Sequence, residues 1–252
     1  LVPIVAPAMG KLVLDYYNWQ GIFYIQVIFS VLVALWFWRR QSETLAIEHR
    51  IPFTRHIFYD GFKELIRFKT TIGYTLISGF IAGSFLVYLS SSQQIFQEQY
   101  ALKQEFPYIF AGLAIAMGLA ILMNGALVLR FGTKKMVTTA LIAFFAISLL
   151  YLLLFYTTVN PSVEILLIFM AFQFFAIGFL FGNLRSLAME PVGHIAGIAA
   201  AITGFVSTLM AVPISVYIGR FVHDTALPLF SGFLACATLS LLILFYIKRF
   251  VK

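Results

Sequence analysis

The sequence is poor in charge and nearly devoid of cysteine. Only 11% of its 252 residues are charged, whereas an ordinary soluble domain has about a quarter. The single cysteine, Cys236, excludes an intrachain disulfide, and four scattered histidines beside it offer no ligand spacing for a metal. A glycine-rich loop ending in Gly-Lys-Ser or Gly-Lys-Thr is also absent, so ATP hydrolysis is not predicted. No metal and no other cofactor is expected.

Long apolar segments make up most of the sequence, and 62% of its residues are hydrophobic. The 17 basic and 10 acidic residues all fall outside seven long uncharged runs. An ionised side chain in hydrocarbon costs several kcal/mol, and about 20 apolar residues cross a bilayer as a helix. We therefore predict an all-α, polytopic membrane helix bundle with seven complete spans at 16–38, 70–97, 106–129, 136–163, 165–184, 191–219 and 225–247.

The distribution of basic residues predicts the orientation of these spans. The net charge of +7 could suggest nucleic acid, but Lys and Arg also concentrate in cytoplasmic loops of membrane proteins. One set of loops holds fourteen basic residues, and the other holds only Lys11, Lys103 and Arg220. The predicted outer loops are 98–105, the region around 160, and 220–224, and the predicted inner loops include 130–135 and 185–190. The C-terminus is thus expected in the cytoplasm, with no nucleic-acid partner.

The segment between the first and second spans predicts a domain boundary. Residues 39–69 form a charged connection far longer than any other loop, so we expect part of one helical lobe at 1–38, a cytoplasmic linker at 39–69 and a six-helix lobe at 70–252. Apolar residues from Phe53 to Ile66 recur at helical spacing and predict an amphipathic helix on the inner leaflet. Residues 1–14 resemble the tail of a further span, which suggests an N-terminally truncated chain.

Titratable groups inside the spans are scarce. No Asp, Glu, Lys or Arg lies away from a span end, which argues against a membrane enzyme or a proton relay in this part of the chain. His194, four residues after Glu190, is a candidate for pH sensing, although a helix-end pair with Glu190 is the plainer interpretation. Pro213 should kink or break its helix near the outer end and could serve as a gate.

Neutral polar groups inside the spans are the better candidates for ligand contact. Gln173 and Asn124 should face the bundle interior or a watery cavity, where interhelical hydrogen bonding competes with substrate binding as their role. Phe172 beside Gln173 could line an apolar cavity suited to amphiphilic ligands. The cavity candidates are Tyr74, Ser78, Tyr88, Phe172 and Gln173. Close helix contacts are predicted at the glycine pairs Gly79 and Gly83, Gly178 and Gly182, and Gly193 and Gly197.

Three segments resemble a known family. Residues 2–10, with Pro3, Pro7 and Gly10, and the following 17–23 resemble the fifth-helix antiporter motif of major facilitator drug:proton antiporters. Residues 125–135 are similar to the loop between helices eight and nine of that family, through Gly125, Arg130, Gly132, Lys134 and Lys135. Residues 188–201 are similar to the entry into helix eleven of the bacterial Bcr/CflA drug-resistance subfamily. Lys11 replaces a motif glycine and Leu129 replaces the loop aspartate.

This resemblance implies helices five to twelve of a twelve-helix fold in which two six-helix lobes rock around a midplane site. It implies a multi-pass transporter of the bacterial inner membrane, acting as a monomer, that exports drugs or other small amphiphilic compounds in exchange for protons. Lys134 and its basic neighbours could bind membrane lipids. A metabolite transporter of the same superfamily remains an alternative, and a seven-helix receptor is a more distant one.

Overall fold

The computed structural model describes residues 9–10, 12–42, 55–156 and 160–250, and all seven long helices in these ranges are apolar. They have 22 to 27 residues each. A shorter amphipathic helix lies between the first two. The helices are α1 Trp19–Arg40, α2 Arg55–Arg67, α3 Lys69–Gln93, α4 Phe106–Phe131, α5 Thr133–Leu154, α6 Val163–Met189, α7 Ala196–Gly219 and α8 Leu227–Phe250.

By length and composition, six helical runs could cross a membrane. The fifth, Val163–Gly219, has 57 residues and contains both α6 and α7. A short 3-10 segment, Glu190–Ile195, joins these helices, and Val192 within it has non-helical backbone angles. Pro191 at the start of that segment cannot donate a helical hydrogen bond, which explains why the regular helix is interrupted there. The prediction of a multi-pass helix bundle is confirmed, whereas the number of crossings stays a prediction.

Helix α3 occupies the centre of the lobe, in contact with α6, α7 and α8. Helix α6 also contacts α4 and α5, and α5 contacts α8. The largest side chains of the core, including Tyr88, Phe144 and Tyr151, are fully buried between these helices. In contrast, no residue of α1 is buried, and Trp38 is 82% exposed. The six helices after the linker therefore form a packed unit, and α1 shares no core with them.

Two boundaries differ from the predicted ones. Helix α5 ends at Leu154, so the predicted run 136–163 is too long by about two turns. Helix α6 continues to Met189, so Arg185 is a helical residue and the predicted inner loop 185–190 is wrong. In both cases the error came from taking uncharged length as helix length. Polar ends of helices can extend past the hydrocarbon layer because their backbone hydrogen bonds remain internal.

Of the two outcomes predicted at Pro213, a break does not occur, because α7 continues through it to Gly219, and a kink stays a prediction. The glycine prediction holds at some positions and fails at others. A Cβ atom at Gly83 would lie 2.9 Å from Ile214 of α7, and one at Gly178 would lie 2.6 Å from the backbone oxygen of Met117 in α4. Contacts that close require glycine. In contrast, a Cβ atom at Gly182, Gly193 or Gly197 would meet no described atom within 4 Å.

The predicted amphipathic helix is present as α2, whereas the cytoplasmic linker and the position on the inner leaflet stay predictions. The buried Leu65 of α2 packs with Val192 of the 3-10 segment and with Ala199 of α7. Phe53, part of the predicted apolar face, lies outside the described residues. The helix thus contacts the helical lobe directly, in addition to presenting exposed Phe62 and Ile66 on its surface.

Candidate functional site

A polar cavity of about 510 Å³ lies between α3, α6 and α7. We call it the hydroxyl cavity, because five of its lining residues carry hydroxyl groups. Its remaining walls include one aromatic ring, one arginine and small residues that leave space. It is lined by Thr75, Ser78, Ala82, Phe181, Arg185, Ala188, Thr203, Gly204, Ser207 and Thr208.

The hydroxyl hydrogens in this cavity are already engaged by backbone oxygens. Thr75 Oγ1 donates to Thr71 at 2.7 Å, and Ser78 Oγ donates to Tyr74 at 2.8 Å. The three hydroxyls of α7 behave in the same way, with Thr203 donating to Ala199, Thr208 to Gly204 and Ser207 to Thr75 of α3. A hydroxyl has one hydrogen and two lone pairs. The oxygen atoms therefore remain available as acceptors for a ligand.

Arg185 is the residue that sequence reasoning assigned to a loop. In the structure it is an exposed residue of α6, and one guanidinium nitrogen lies 4.0 Å from the position a Cβ atom of Gly204 would occupy on α7. It makes no hydrogen bond or ion pair with the described residues. Phe181, Arg185 and Ala188 line the same cavity at helical spacing. Extending the periodicity of α6 by one turn would have found this arginine.

Of the five predicted cavity residues, only Ser78 lines the hydroxyl cavity. Tyr74 is buried in the core, and Phe172 is 59% exposed on the surface of the bundle. Tyr88 stacks on Phe110 and meets the ring of Phe174 with centroids 4.6 Å apart. These rings surround a void of only about 10 Å³. That aromatic cluster is helix packing, since it has no room for a ligand.

Gln173 belongs to a set of hydrogen bonds between helices that we call the amide seam, formed by Asn124, Ser148, Gln173 and Asn183. Gln173 is fully buried, and its Nε2 donates to Ser148 Oγ of α5 at 2.6 Å. Asn124 of α4 and Asn183 of α6 exchange two hydrogen bonds, of 3.2 Å and 2.7 Å. The two groups named by sequence as interior-facing are thus both interior, and both join helices.

The expected pairing of His194 with Glu190 is replaced by a pair with the linker. His194 Nε2 lies 2.8 Å from Glu64 Oε1 of α2, with the side chains 55% and 37% exposed. A second cavity, of about 220 Å³, lies beneath α2 and shares Thr75 and Thr203 with the hydroxyl cavity. Helix α2 therefore lines a cavity that adjoins the hydroxyl cavity across Thr75 and Thr203. The sequence offered no signal for this partner, because residues 64 and 194 are 130 positions apart.

At the predicted outer end, two amide side chains bond each other and the backbone of a third segment, in a group that we call the outer clasp, made of Gln99, Asn160, His223 and Ala226. Asn160 Nδ2 donates to Gln99 Oε1 at 3.0 Å, and its Oδ1 accepts from the backbone N–H of Ala226 at 2.9 Å. Gln99 Nε2 in turn donates to the backbone oxygen of His223 at 2.9 Å. The three loops assigned to one side by sequence do lie together.

Tyr100 supports the same end of the bundle. Its hydroxyl donates to the backbone oxygen of Pro161 at 2.7 Å. Burial raises the pKa of Tyr100 to about 12, because the phenolate would lose hydration there. The hydroxyl consequently stays protonated, and remains a donor, at physiological pH.

The residues of the loop motif, between 125 and 135, lie at the opposite end of the lobe and outside the cavity. Arg130 and Lys135 both lie over the ring of Phe131, at 5.2 Å and 5.3 Å from its centroid. Gly132 joins α4 to α5 with a φ of 82°, which explains the glycine. Gly125 is part of α4 and Lys134 part of α5. Pro3 and Pro7 lie outside the described residues, and a Cβ atom at Gly10 would have no described neighbour within 4 Å.

Comparisons with known proteins agree on one family. A family profile described as Major Facilitator Superfamily matches residues 1–214. The "Uncharacterized MFS-type transporter YdgK" of Bacillus subtilis is 30% identical over an alignment of 235 positions, which covers 91% of this chain and 57% of that protein. The "Bicyclomycin resistance protein homolog" of Haemophilus influenzae is 25% identical over a gapped alignment of 257 positions, which covers 98% of this chain and 62% of that protein.

The chain spans about three fifths of the length of these two relatives. No solved structure gives a significant match.

Proposed function

The chain belongs to the major facilitator superfamily, and we propose that it forms part of a proton-coupled secondary transporter that exports drugs or other small amphiphilic compounds by alternating access. Family membership and the transporter names of its relatives indicate a transport protein, as opposed to an enzyme. The name of the Haemophilus relative, a bicyclomycin resistance protein homolog, supports export of antibiotic-like compounds. Proton exchange follows from the resemblance to drug:proton antiporters.

We propose that the chain crosses the membrane seven times, with its C-terminus in the cytoplasm of a bacterial cell. A continuous run of 57 residues would be about 85 Å long as one helix, against about 30 Å of hydrocarbon. The 3-10 segment within that run supports two crossings, by α6 and then by α7. In this arrangement residues 70–252 form one lobe and residues 39–69 the cytoplasmic linker.

The observation that carries the proposal is the hydroxyl cavity. Its volume of about 510 Å³ falls within the range of about 300–1,000 Å³ usual for small-molecule sites. Polar groups in a membrane bundle are expensive unless they bond to one another or line a watery path. Here Ser78 of α3, Arg185 of α6 and Thr208 of α7 converge on one open space. That is the arrangement expected of one wall of a central substrate path.

A metabolite transporter remains the second candidate, and Arg185 favours it. A permanent positive charge in the wall suits anionic metabolites better than the lipophilic cations typical of many drugs. Among the described lining residues no carboxylate balances this charge. The proton-coupling acids are expected, from the resemblance, in the other lobe.

Export can be tested in bacteria that lack their main efflux pumps and express the complete reading frame. Accumulation of a panel of antibiotics and dyes is measured with and without an uncoupler. We expect lower accumulation, restored by the uncoupler. Replacing Ser78 with Leu should fill the hydroxyl cavity and abolish export, whereas the matched replacement Thr238→Leu, on the exposed surface of α8, should leave export unchanged.

Unchanged accumulation of every compound, with the protein verified in the membrane, would remove drug export and leave the metabolite transporter. Equal export by the two leucine variants would instead move the substrate path away from the hydroxyl cavity.

A further inference from the structure

We infer that the hydroxyl cavity selects substrates that combine an anionic group, such as a carboxylate, with N–H or O–H donors. The inference rests on the proposed function, since it specifies the substrate class of the same cavity. Two observations carry it, namely an arginine without a partner among the described residues and hydroxyl groups whose hydrogens are directed at backbone oxygens.

Arg185 explains the preference for an anionic group on the substrate. It is the one charged side chain among the described residues that line the cavity, and it has no carboxylate partner there. Because the side chain is exposed, water or a counter-ion balances its charge when no ligand is bound. Guanidinium groups bind carboxylates through two parallel hydrogen bonds, which gives both charge compensation and orientation. A substrate carboxylate would meet both needs.

The hydroxyl groups explain the preference for N–H or O–H donors on the substrate. Each of the five donates its hydrogen to a backbone oxygen, as described above. Their oxygen atoms can then accept hydrogen bonds but have no further hydrogen to give. A substrate group that only accepts, such as an ether or a tertiary amide, finds a ready donor at Arg185, whereas at a hydroxyl it must displace a backbone hydrogen bond. Amino, amide N–H and hydroxyl groups find acceptors on both α3 and α7.

The remaining surface sets the shape of such a substrate. Phe181 offers one ring face or edge, and Ala82, Ala188 and Gly204 leave room beside it. A flat aromatic body fits next to such a ring and small side chains, because aromatic pairs gain from offset or edge contacts. The expected substrate is therefore an amphiphilic aromatic compound with a carboxylate and donor groups at its margin.

Two dyes provide a matched test. Rhodamine 110 carries a free carboxylate and two amino groups, and rhodamine 123 is its methyl ester, so they differ only in the anionic group. Export is followed by fluorescence in pump-deficient bacteria that express the complete reading frame. Binding is followed separately by fluorescence polarisation with the purified full-length protein. We expect tighter binding and faster export of rhodamine 110.

Three variants locate this preference. Arg185→Gln should weaken rhodamine 110 binding about tenfold or more and remove the preference over rhodamine 123. Arg185→Lys keeps the charge and should retain part of the preference. Arg220→Gln makes the same chemical change on an exposed residue at the other end of α7, and should behave as the wild type.

The possible outcomes separate this inference from the proposed function. Equal handling of the two dyes by the wild type, or the same dye preference in Arg185→Gln, would overturn the inference and leave drug export standing. Arginine-dependent binding of rhodamine 110 without export of either dye would support the inference and contradict export. If the purified protein binds neither dye, the inference is wrong.

Discussion

The amide seam and the hydroxyl cavity both use neutral polar side chains of α6 or its neighbours, but in different ways. In the seam, Asn124 and Asn183 satisfy each other across two helices. In the cavity, Ser78 and Thr208 satisfy their hydrogens within their own helices. An amide cannot direct both of its hydrogens and its oxygen at its own helix, whereas a hydroxyl can bond its single hydrogen there and keep its oxygen as an acceptor. Amides consequently join helices, and hydroxyls leave acceptors for a ligand.

The largest loss of stability is expected at the closest contact between α4 and α6, the two helices that Asn124 and Asn183 join. In Gly178→Ala the added methyl group would lie 2.6 Å from the backbone oxygen of Met117 and 2.7 Å from Cβ of Ala120. Since the closest atom is backbone, α4 and α6 must separate, at a cost of about 1–3 kcal/mol. Thermal unfolding of the purified protein should show a clear drop in midpoint.

Gly182→Ala is the control for that change, because a Cβ atom at Gly182 meets no described atom within 4 Å. It lies one turn further along the same helix and should unfold at the wild-type temperature. Equal midpoints for the two alanine variants would mean that α4 and α6 are further apart than the structure shows.

A smaller loss is expected from breaking the amide pair itself. Asn183→Ala removes both bonds to Asn124 and the bond from Asn183 to the backbone oxygen of Phe179. The amide of Asn124 is then left without its partner, which should lower the free energy of unfolding by about 1–2 kcal/mol. The double variant Asn124→Ala with Asn183→Ala should lose less than the sum of the two single changes. Strict additivity in that cycle would show that the pair contributes no coupling.

The smallest effect should come from the partly exposed pair beside the cavity. Glu64→Gln removes the carboxylate that meets His194, and exposed ion pairs contribute only about 0.2–1 kcal/mol. Unfolding should therefore shift little, because Leu65 continues to hold α2 against Val192 and Ala199. Leu65→Ser should release α2 more strongly, detected as faster proteolysis of the linker. Equal proteolysis of both variants would assign the docking of α2 to the ion pair.

The sequence predicted the helical bundle because uncharged length is a strong signal in a membrane protein. It predicted a close helix contact at Gly83, which the structure places between α3 and α7, and the amphipathic linker helix, for similar reasons of spacing. The face occupied by each polar residue could not be predicted in the same way. The helices are apolar on every side, so Gln173 carries no periodic signal that distinguishes seam from cavity.

Arg185 was missed for a related reason. Charge was used to end a helix at 184, whereas the helix continues to Met189 and places the arginine on a cavity wall. The partner of His194 was missed because it depends on where a distant amphipathic helix docks. Both errors concern the ends of helices, where composition stops being informative and tertiary contacts decide.

The outer clasp has a consequence for how the protein is made. Asn160 bonds Gln99, 61 residues before it, and Ala226, 66 residues after it. Membrane helices are inserted in order as the chain leaves the ribosome. The Oδ1 atom of Asn160 therefore lacks its Ala226 hydrogen bond until α7 has been inserted. Completion of the clasp is accordingly a late step in biogenesis. An interrupted chain would expose that amide to the enzymes that remove unfinished membrane proteins.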